Sequence, residues 1–284
     1  MATFYNQATL SYDDTVATSN ITTGEIIESL SATKTVLADD YSANELLTYV
    51  VSITNTSDLP ITDVSISDNL GAYTFNMLTL VPLDYVNDSV FVFADGVLQP
   101  TPPVNAGPPL VISGLTVPAN GNLMVIYSVR TNEYAPLNPG SEITNTVTIS
   151  SASLCNSITA EETIEVSASP MLRITKSLSP TVVSEDDEIT YTFVIENLGN
   201  APADASYNAS ITDLFNPALS NISVVYNGTA WTEPANYTYN EMTGLFTTVP
   251  GQITVPAASY VQDSVTGVWT IIPGSSTLTV TGNI

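Results

Sequence analysis

The chain contains two copies of one pattern. Leu47-Thr48-Tyr49-Val50-Val51-Ser52-Ile53-Thr54-Asn55 matches Ile189-Thr190-Tyr191-Thr192-Phe193-Val194-Ile195-Glu196-Asn197 at an offset of 142 residues, and Ala32-Thr33-Lys34-Thr35 matches Ile174-Thr175-Lys176-Ser177 at the same offset. Ile66-Ser67-Asp68-Asn69-Leu70 matches Ile211-Thr212-Asp213-Leu214-Phe215 at 145. Val117-Pro118-Ala119 and Leu123 to Val129 match Ile272-Pro273-Gly274 and Leu278 to Ile284 at 155. A repeat of this kind outranks every local signal in deciding the fold. Each matched run alternates apolar with polar residues, the period of a half-buried strand. Asp95-Gly96 and Asn227-Gly228 are hairpin turn signals in the middle of each copy. No long stretch carries a helical period. The expectation is all-β: two tandem two-sheet β-sandwich domains at 22–150 and 151–284, after an N-terminal extension at 1–21.

Those runs also resemble a known family. The order Thr-Lys, then Thr-Tyr-x-x-x-Ile-x-Asn, then Ile-x-Asp-x-Leu, then Asn-Thr-Val-Thr is similar to the surface-protein repeat catalogued as domain of unknown function 11. The resemblance covers nearly all of both copies. It implies Ig-like modules, found in tandem in bacterial and archaeal cell-surface proteins, stalks and filaments. The opening of the chain also resembles proteins of anaerobic spore-formers that build appendages on the spore.

Composition narrows the function. The formal net charge is −24, with only four basic residues. Binding nucleic acid or an anionic membrane needs Lys and Arg to neutralise phosphate, so neither partner is expected. There is no His and a single Cys, Cys155. That removes His-based acid–base catalysis, Cys–His pairs, zinc sites and any internal disulfide. No cofactor, metal or turnover enzyme is expected. Met1 to Asn6 has neither a basic region nor an apolar stretch, and no segment is long enough to span a membrane as a helix. An extracellular or spore-surface protein made without a signal peptide is the expectation, with the family resemblance supplying the location.

The only two lysines, Lys34 and Lys176, occupy equivalent positions. By period two, Leu30, Ala32, Lys34 and Val36 share a strand face, as do Leu172, Ile174, Lys176 and Leu178. Both ammonium groups therefore aim into an apolar core, where an unpaired Lys is costly. The same count turns Asp68 inward with Val64 and Ile66, and Asp213 inward with Ala209 and Ile211. It also turns Asn145 inward with Ile143, Val147 and Ile149. One reading is a buried Lys–Asp ion pair with an amide partner. The sharper reading is an isopeptide bond between Lys34 and Asn145, with Asp68 as helper. Burial lowers the amine's pKa and raises the acid's, so a neutral amine attacks the carboxamide while the acid shuttles protons. Fixed contact supplies the effective molarity. Ig-like pilin and adhesin domains are what this arrangement resembles.

By the repeat offset, copy two is expected to lack the strand that carries Asn145 in copy one. A sandwich short of a strand exposes an edge and an apolar groove. The spare strand sits at the other end of the chain. Phe4-Tyr5-Asn6-Gln7-Ala8-Thr9-Leu10-Ser11 resembles Ile143-Thr144-Asn145-Thr146-Val147-Thr148-Ile149-Ser150, and Asn20-Ile21-Thr22 with Glu25-Ile26-Ile27 echoes Ser157-Ile158-Thr159 with Glu162-Thr163-Ile164. Residues 3–11 thus read as a donor strand whose inward face is Phe4, Asn6, Ala8 and Leu10. The acceptor is copy two of a neighbouring subunit, giving a head-to-tail homopolymer, or copy two of the same chain, giving a closed monomer. Between chains, Asn6 meets Lys176 with Asp213 as helper, and a second isopeptide bond seals the joint. The rival reading is a monomeric cell-surface adhesin or binding module, with Trp231, Tyr237 and Tyr239 as its recognition surface. A calcium-stiffened repeat, using Asp39-Asp40 and Glu185-Asp186-Asp187-Glu188, fits no calcium-loop spacing.

Overall fold

The computed structural model describes residues 2–26, 29–154, 156–184 and 187–284. The fold is all-β, two tandem two-sheet β-sandwiches behind an N-terminal β-ribbon. The one helical element among the described residues is the 3-10 turn Ala205–Tyr207. Cys155, Glu185, Asp186 and Ile27 lie outside the described residues, and so do the readings placed on them.

The ribbon comprises β1 (Ala2–Asn6), β2 (Thr9–Tyr12), β3 (Thr15–Thr18) and β4 (Thr22–Ile26). Strand β1 pairs antiparallel with β4 and β2 with β3, around a turn at Asp13 and Asp14 with φ of 42° and 57°. The expected donor segment 3–11 is thus interrupted at Gln7-Ala8 and already paired along its length. Every residue from Thr3 to Thr23 is exposed. The Phe4 ring lies across Gly24, its cross-strand partner, where any side chain would collide with it.

Copy one contains β5 (Leu30–Val36), β6 (Asp40–Tyr41), β7 (Leu46–Asn55), β8 (Ile61–Asp68), β9 (Tyr73–Phe75), β10 (Leu78–Leu80), β11 (Leu83–Tyr85), β12 (Phe91–Ala94), β13 (Val97–Leu98), β14 (Val104–Asn105), β15 (Leu110–Val117), β16 (Asn122–Thr131), β17 (Glu142–Ser150) and β18 (Ile158–Val166). One sheet runs β13-β12-β16-β7-β5, with β11 also on β16, and the other runs β14-β15-β8-β17-β18-β6. Alternation decides the packing. Leu47, Tyr49, Val51 and Ile53 of β7 all face the core, as do Leu123, Val125, Tyr127 and Val129 of β16. The Asp95-Gly96 turn joins β12 to β13 as the sequence predicts, with positive φ at both residues.

Both expected boundaries of copy one move. Strand β18 pairs with β17 from Glu165 opposite Glu142 to Ile158 opposite Ile149, and its Ile164 and Val166 are buried in the first core. Copy one therefore extends to Val166, not 150. At its start, residues 22–26 belong to the ribbon, so the sandwich begins at Leu30. The physical reason is the same at both ends: a strand belongs to the sheet that satisfies its backbone groups, whatever segment it resembles.

Copy two contains β19 (Leu172–Ser179), β20 (Glu188–Asn197), β21 (Thr212–Leu214), β22 (Ser220–Tyr226), β23 (Thr229–Trp231), β24 (Tyr237–Asn240), β25 (Leu245–Thr248), β26 (Ser259–Gln262), β27 (Trp269–Ile272) and β28 (Gly274–Asn283). Among the described residues, a five-stranded sheet, β19-β20-β28-β22-β23, faces three strands, β21-β25-β24. Tyr127 of copy one pairs with Tyr49, while Val280 pairs with the equivalent Tyr191. The true register of β28 is thus two residues off the best sequence match, an even slip that keeps every side chain on its face. Trp231, Tyr237 and Tyr239, the candidate recognition surface, serve packing instead. The Trp231 ring packs tilted against Tyr226 with centroids 4.7 Å apart, Tyr237 is buried, and the Tyr239 hydroxyl donates to Leu219 O at 2.9 Å. Apolar rings with satisfied hydroxyls belong inside, and here they fill the second core.

One hairpin of copy two leaves its own sandwich. The β26–β27 arm lies on copy one, where Tyr260 and Ile271 pack against the first core. Trp269 N donates to Glu133 O at 2.9 Å, Asn76 Nδ2 to Ser264 O at 3.0 Å, and Gln262 Nε2 to the Tyr73 hydroxyl at 3.2 Å. The arm's turn rests on Leu80 at Gly267, where φ is +76° and a Cβ would strike the leucine.

Candidate functional site

Four strands of copy one converge on one carboxylate. Strand β5 brings Lys34, β8 brings Asp68, β17 brings Asn145 and β16 brings Tyr127. Val147 pairs directly with Asp68, so Asn145, two residues away on the same face, sits over the end of β8. Lys34 Nζ lies 2.8 Å from Asp68 Oδ2, and Asn145 Nδ2 lies 3.4 Å from the same oxygen. The Tyr127 hydroxyl donates to it as well. Asp68 Oδ1 accepts the Leu70 N–H at 2.7 Å, and Asn145 Oδ1 accepts the Gly71 N–H at 3.2 Å. Lys34 Nζ stands 4.6 Å above the Tyr49 ring. Lys34 is 3 % exposed, and Asp68 and Asn145 are 0 % exposed.

This environment changes the amine. Burial lowers the Lys34 pKa to about 8, although the charge and hydrogen bond of Asp68 work against the shift. Burial pushes the Tyr49 and Tyr127 hydroxyls above their usual range, with the Asp68 charge adding to it. The Asn145 carboxamide is held at both ends. Its oxygen rests on a backbone N–H that favours negative charge there, and its nitrogen rests on the acid. An amine that can lose its proton, a polarised carboxamide and an acid touching both are the parts an amide exchange needs.

Copy two builds half of this. Lys176 on β19 pairs with Asp213 on β21, and the ammonium lies 4.2 Å above the Tyr191 ring and 5.2 Å from Phe215. The position of Asn145 has no counterpart: among the described residues, β21 pairs with β25 and with nothing on its other edge. All eight residues of β19 are exposed. The Lys176 side chain is 37 % exposed where Lys34 is enclosed, so the expectation that both lysines are buried fails for the second. The reason is the missing cover, not the facing. An apolar groove of ≈ 220 Å³ opens beside it, lined by Leu172, Ile174, Ile195, Ile211 and Ile253.

The structure therefore brings Lys34, Asp68 and Asn145 together, and Lys176 with Asp213. It does not bring Asn6 to them: Asn6 lies opposite Thr22 in the ribbon, and Phe4, Ala8 and Leu10 are exposed there. The closed monomer is not the arrangement adopted. Sequence reasoning missed Tyr127. Its place in the alternation Leu123, Val125, Tyr127, Val129 predicts an inward ring, and only the three-dimensional packing points its hydroxyl at Asp68.

No family profile matches the chain, and no curated protein matches it. Solved structures do. The major pilin subunit of Bacillus cereus aligns with 96% of this chain and 73% of its own, at 12% identity and a TM-score of 0.37. The pilus backbone of Streptococcus pneumoniae aligns with 86% of this chain at 11% identity and a TM-score of 0.35, and the match spans 55% of that protein. The collagen-binding domain of a Staphylococcus aureus adhesin aligns with 47% of this chain and 96% of its own, at 10% identity and a TM-score of 0.30. At such identities a likeness concerns fold alone.

Proposed function

We propose that the chain is a structural subunit of an extracellular or spore-surface filament, a homopolymer built head to tail. The observation that carries the reading is the pair of unequal centres. One is closed by its own Asn145 strand; the other presents the same lysine and aspartate with no strand over them among the described residues. Residues 3–11 repeat the sequence that closes the first, so the N-terminus of one subunit covers β19 and β21 of the next. A strand added to an open edge gains a ladder of backbone hydrogen bonds and buries alternate side chains.

Chemistry follows the strand. In copy one the Lys34 Nζ lone pair attacks Asn145 Cγ. A C–N bond forms, the Cγ–Nδ2 bond breaks, and ammonia leaves with protons relayed by Asp68. Between subunits, Asn6 brings its carboxamide to Lys176 and Asp213 for the same exchange. A filament sealed in this way persists by covalent linkage, not by a folding equilibrium. The reading keeps the resemblance to tandem surface repeats and involves no cofactor.

The test is the full chain boiled in SDS with reductant, run on a gel and followed by intact mass. The expected result is a ladder of multimers in which each subunit lacks one ammonia for its own Lys34–Asn145 bond and each joint lacks one more. A single band at full mass refutes both bonds. A single band short of one ammonia leaves only the bond inside copy one.

A further inference from the structure

We infer that the donated element is the whole ribbon, residues 2–26, and not a single strand: one subunit supplies two adjacent strands to the second sheet of the next. This rests on the strand-donation reading above and specifies what is donated. Three observations carry it. First, among the described residues copy two leaves room for more than one strand. Opposite its five-stranded sheet lie three described strands, whereas copy one places six in the equivalent layer, with β17 and β18 beyond β8. Strand β17 pairs with β8, and β18 covers β17's far edge and packs on β5. A lone strand laid on β21 would close the first gap and leave its own outer edge unpaired over the exposed face of β19.

Second, two strands of the matching pattern form a hairpin at the other end of the chain. Strands β1 and β2 run antiparallel to β4 and β3 as β17 runs to β18, and both hairpins lead directly into the first strand of a sandwich, β4 into β5 and β18 into β19. A two-stranded ribbon with every residue from Thr3 to Thr23 exposed buries no core of its own and is marginal in water. Its hydrogen bonds are internal: Thr22 Oγ1 donates to Asn6 O at 3.2 Å, and Gln7 Nε2 to Ser19 O at 2.8 Å.

Third, the register of copy one carries over to copy two. Copy one fixes the orientation. Ile149 pairs with Ile66 and Val147 with Asp68, so Leu10 falls opposite Ile211 and Ala8 opposite Asp213, with Asn6 at the lysine. That register sends the acidic turn toward the Leu172–Arg173 end of the groove.

The experiment uses two variants of the full chain, with assembly followed by light scattering. In Thr22→Pro/Thr23→Pro, adjacent prolines remove the N–H pointing at β1 whichever phase β4 adopts, while residues 2–12 stay intact for single-strand donation. Deleting residues 2–12 removes donation of either kind. The expected result is at least a tenfold loss of elongation rate in the proline variant and none remaining in the deletion, with the melting of copy one unchanged in both. Wild-type elongation by the proline variant, beside a deletion that does not assemble, overturns the ribbon and leaves strand donation standing. Assembly by the deletion overturns both.

Discussion

Copies one and two present the same lysine and aspartate in different surroundings. In copy one the pair is roofed by β17 and β18, the lysine is enclosed, and its carboxylate partner collects donors from Lys34, Tyr127 and Asn145 on one oxygen. In copy two the pair stands at the edge of an open groove, with a third of the lysine side chain in solvent. The residues that face inward are equivalent; the strands that cover them are not. A buried charge pair depends on being completely surrounded by partners, so completeness, and not the ion pair itself, sets its behaviour.

The largest test of that contrast is Lys34→Met. It leaves the Asp68 carboxylate buried without its cation, and removing one partner of a buried pair costs about 3–5 kcal/mol. Urea unfolding of copy one reads the loss, to which any lost crosslink adds. A loss below about 1 kcal/mol means the pair is not enclosed in solution. The next is pH. Burial lowers the Lys34 pKa to about 8, so the amine is protonated below that pH and free to attack above it. Crosslinking in chain diluted from an unfolded state is therefore expected to rise roughly tenfold per unit toward pH 8 and to level off above it. A rate that is flat or falls as the pH is raised toward 8 rules out attack by the free amine.

Tyr127→Phe removes one donor from the Asp68 oxygen and nothing else, an expected loss of about 1.5–3 kcal/mol for a hydrogen bond to a charged group. Copy two has Val280 at the matching register, so it supplies its own control. The smallest effect is Lys176→Met. An ion pair this exposed contributes about 0–1 kcal/mol, and the monomer's unfolding is expected to change by no more. The same substitution should remove the SDS-resistant ladder entirely. A large stability loss without loss of the ladder would place Lys176 in the core and not at a joint.

Much of this is legible in the sequence. Period-two counting aims Lys34, Asp68 and Asn145 inward, and all three are buried in one site, because a strand's side-chain alternation is independent of what it packs against. The lone Asn145 strand of copy one announced the gap in copy two. What escaped were features set by partners. The sequence of β18 echoes the lead-in to copy one, and nothing in it declares the ladder that binds it to β17. The ribbon's pairing is equally silent, since strands exposed on both faces carry no apolar stripe to specify register. Tyr127 reads as one more core ring, because alternation locates a side chain's root and not its tip. The β26–β27 arm leaves its own domain for reasons that only the other domain's surface explains.

That arm has a mechanical consequence. It is inserted between β25 and β28, so its grip on Tyr73, Asn76, Leu80 and Glu133 is anchored in copy two's own fold. Two beads on a string would bend wherever a short connector lets them. Two beads braced by a strut resist bending within the subunit. In the proposed filament the remaining freedom would lie where subunits meet, so the joint would set the persistence length.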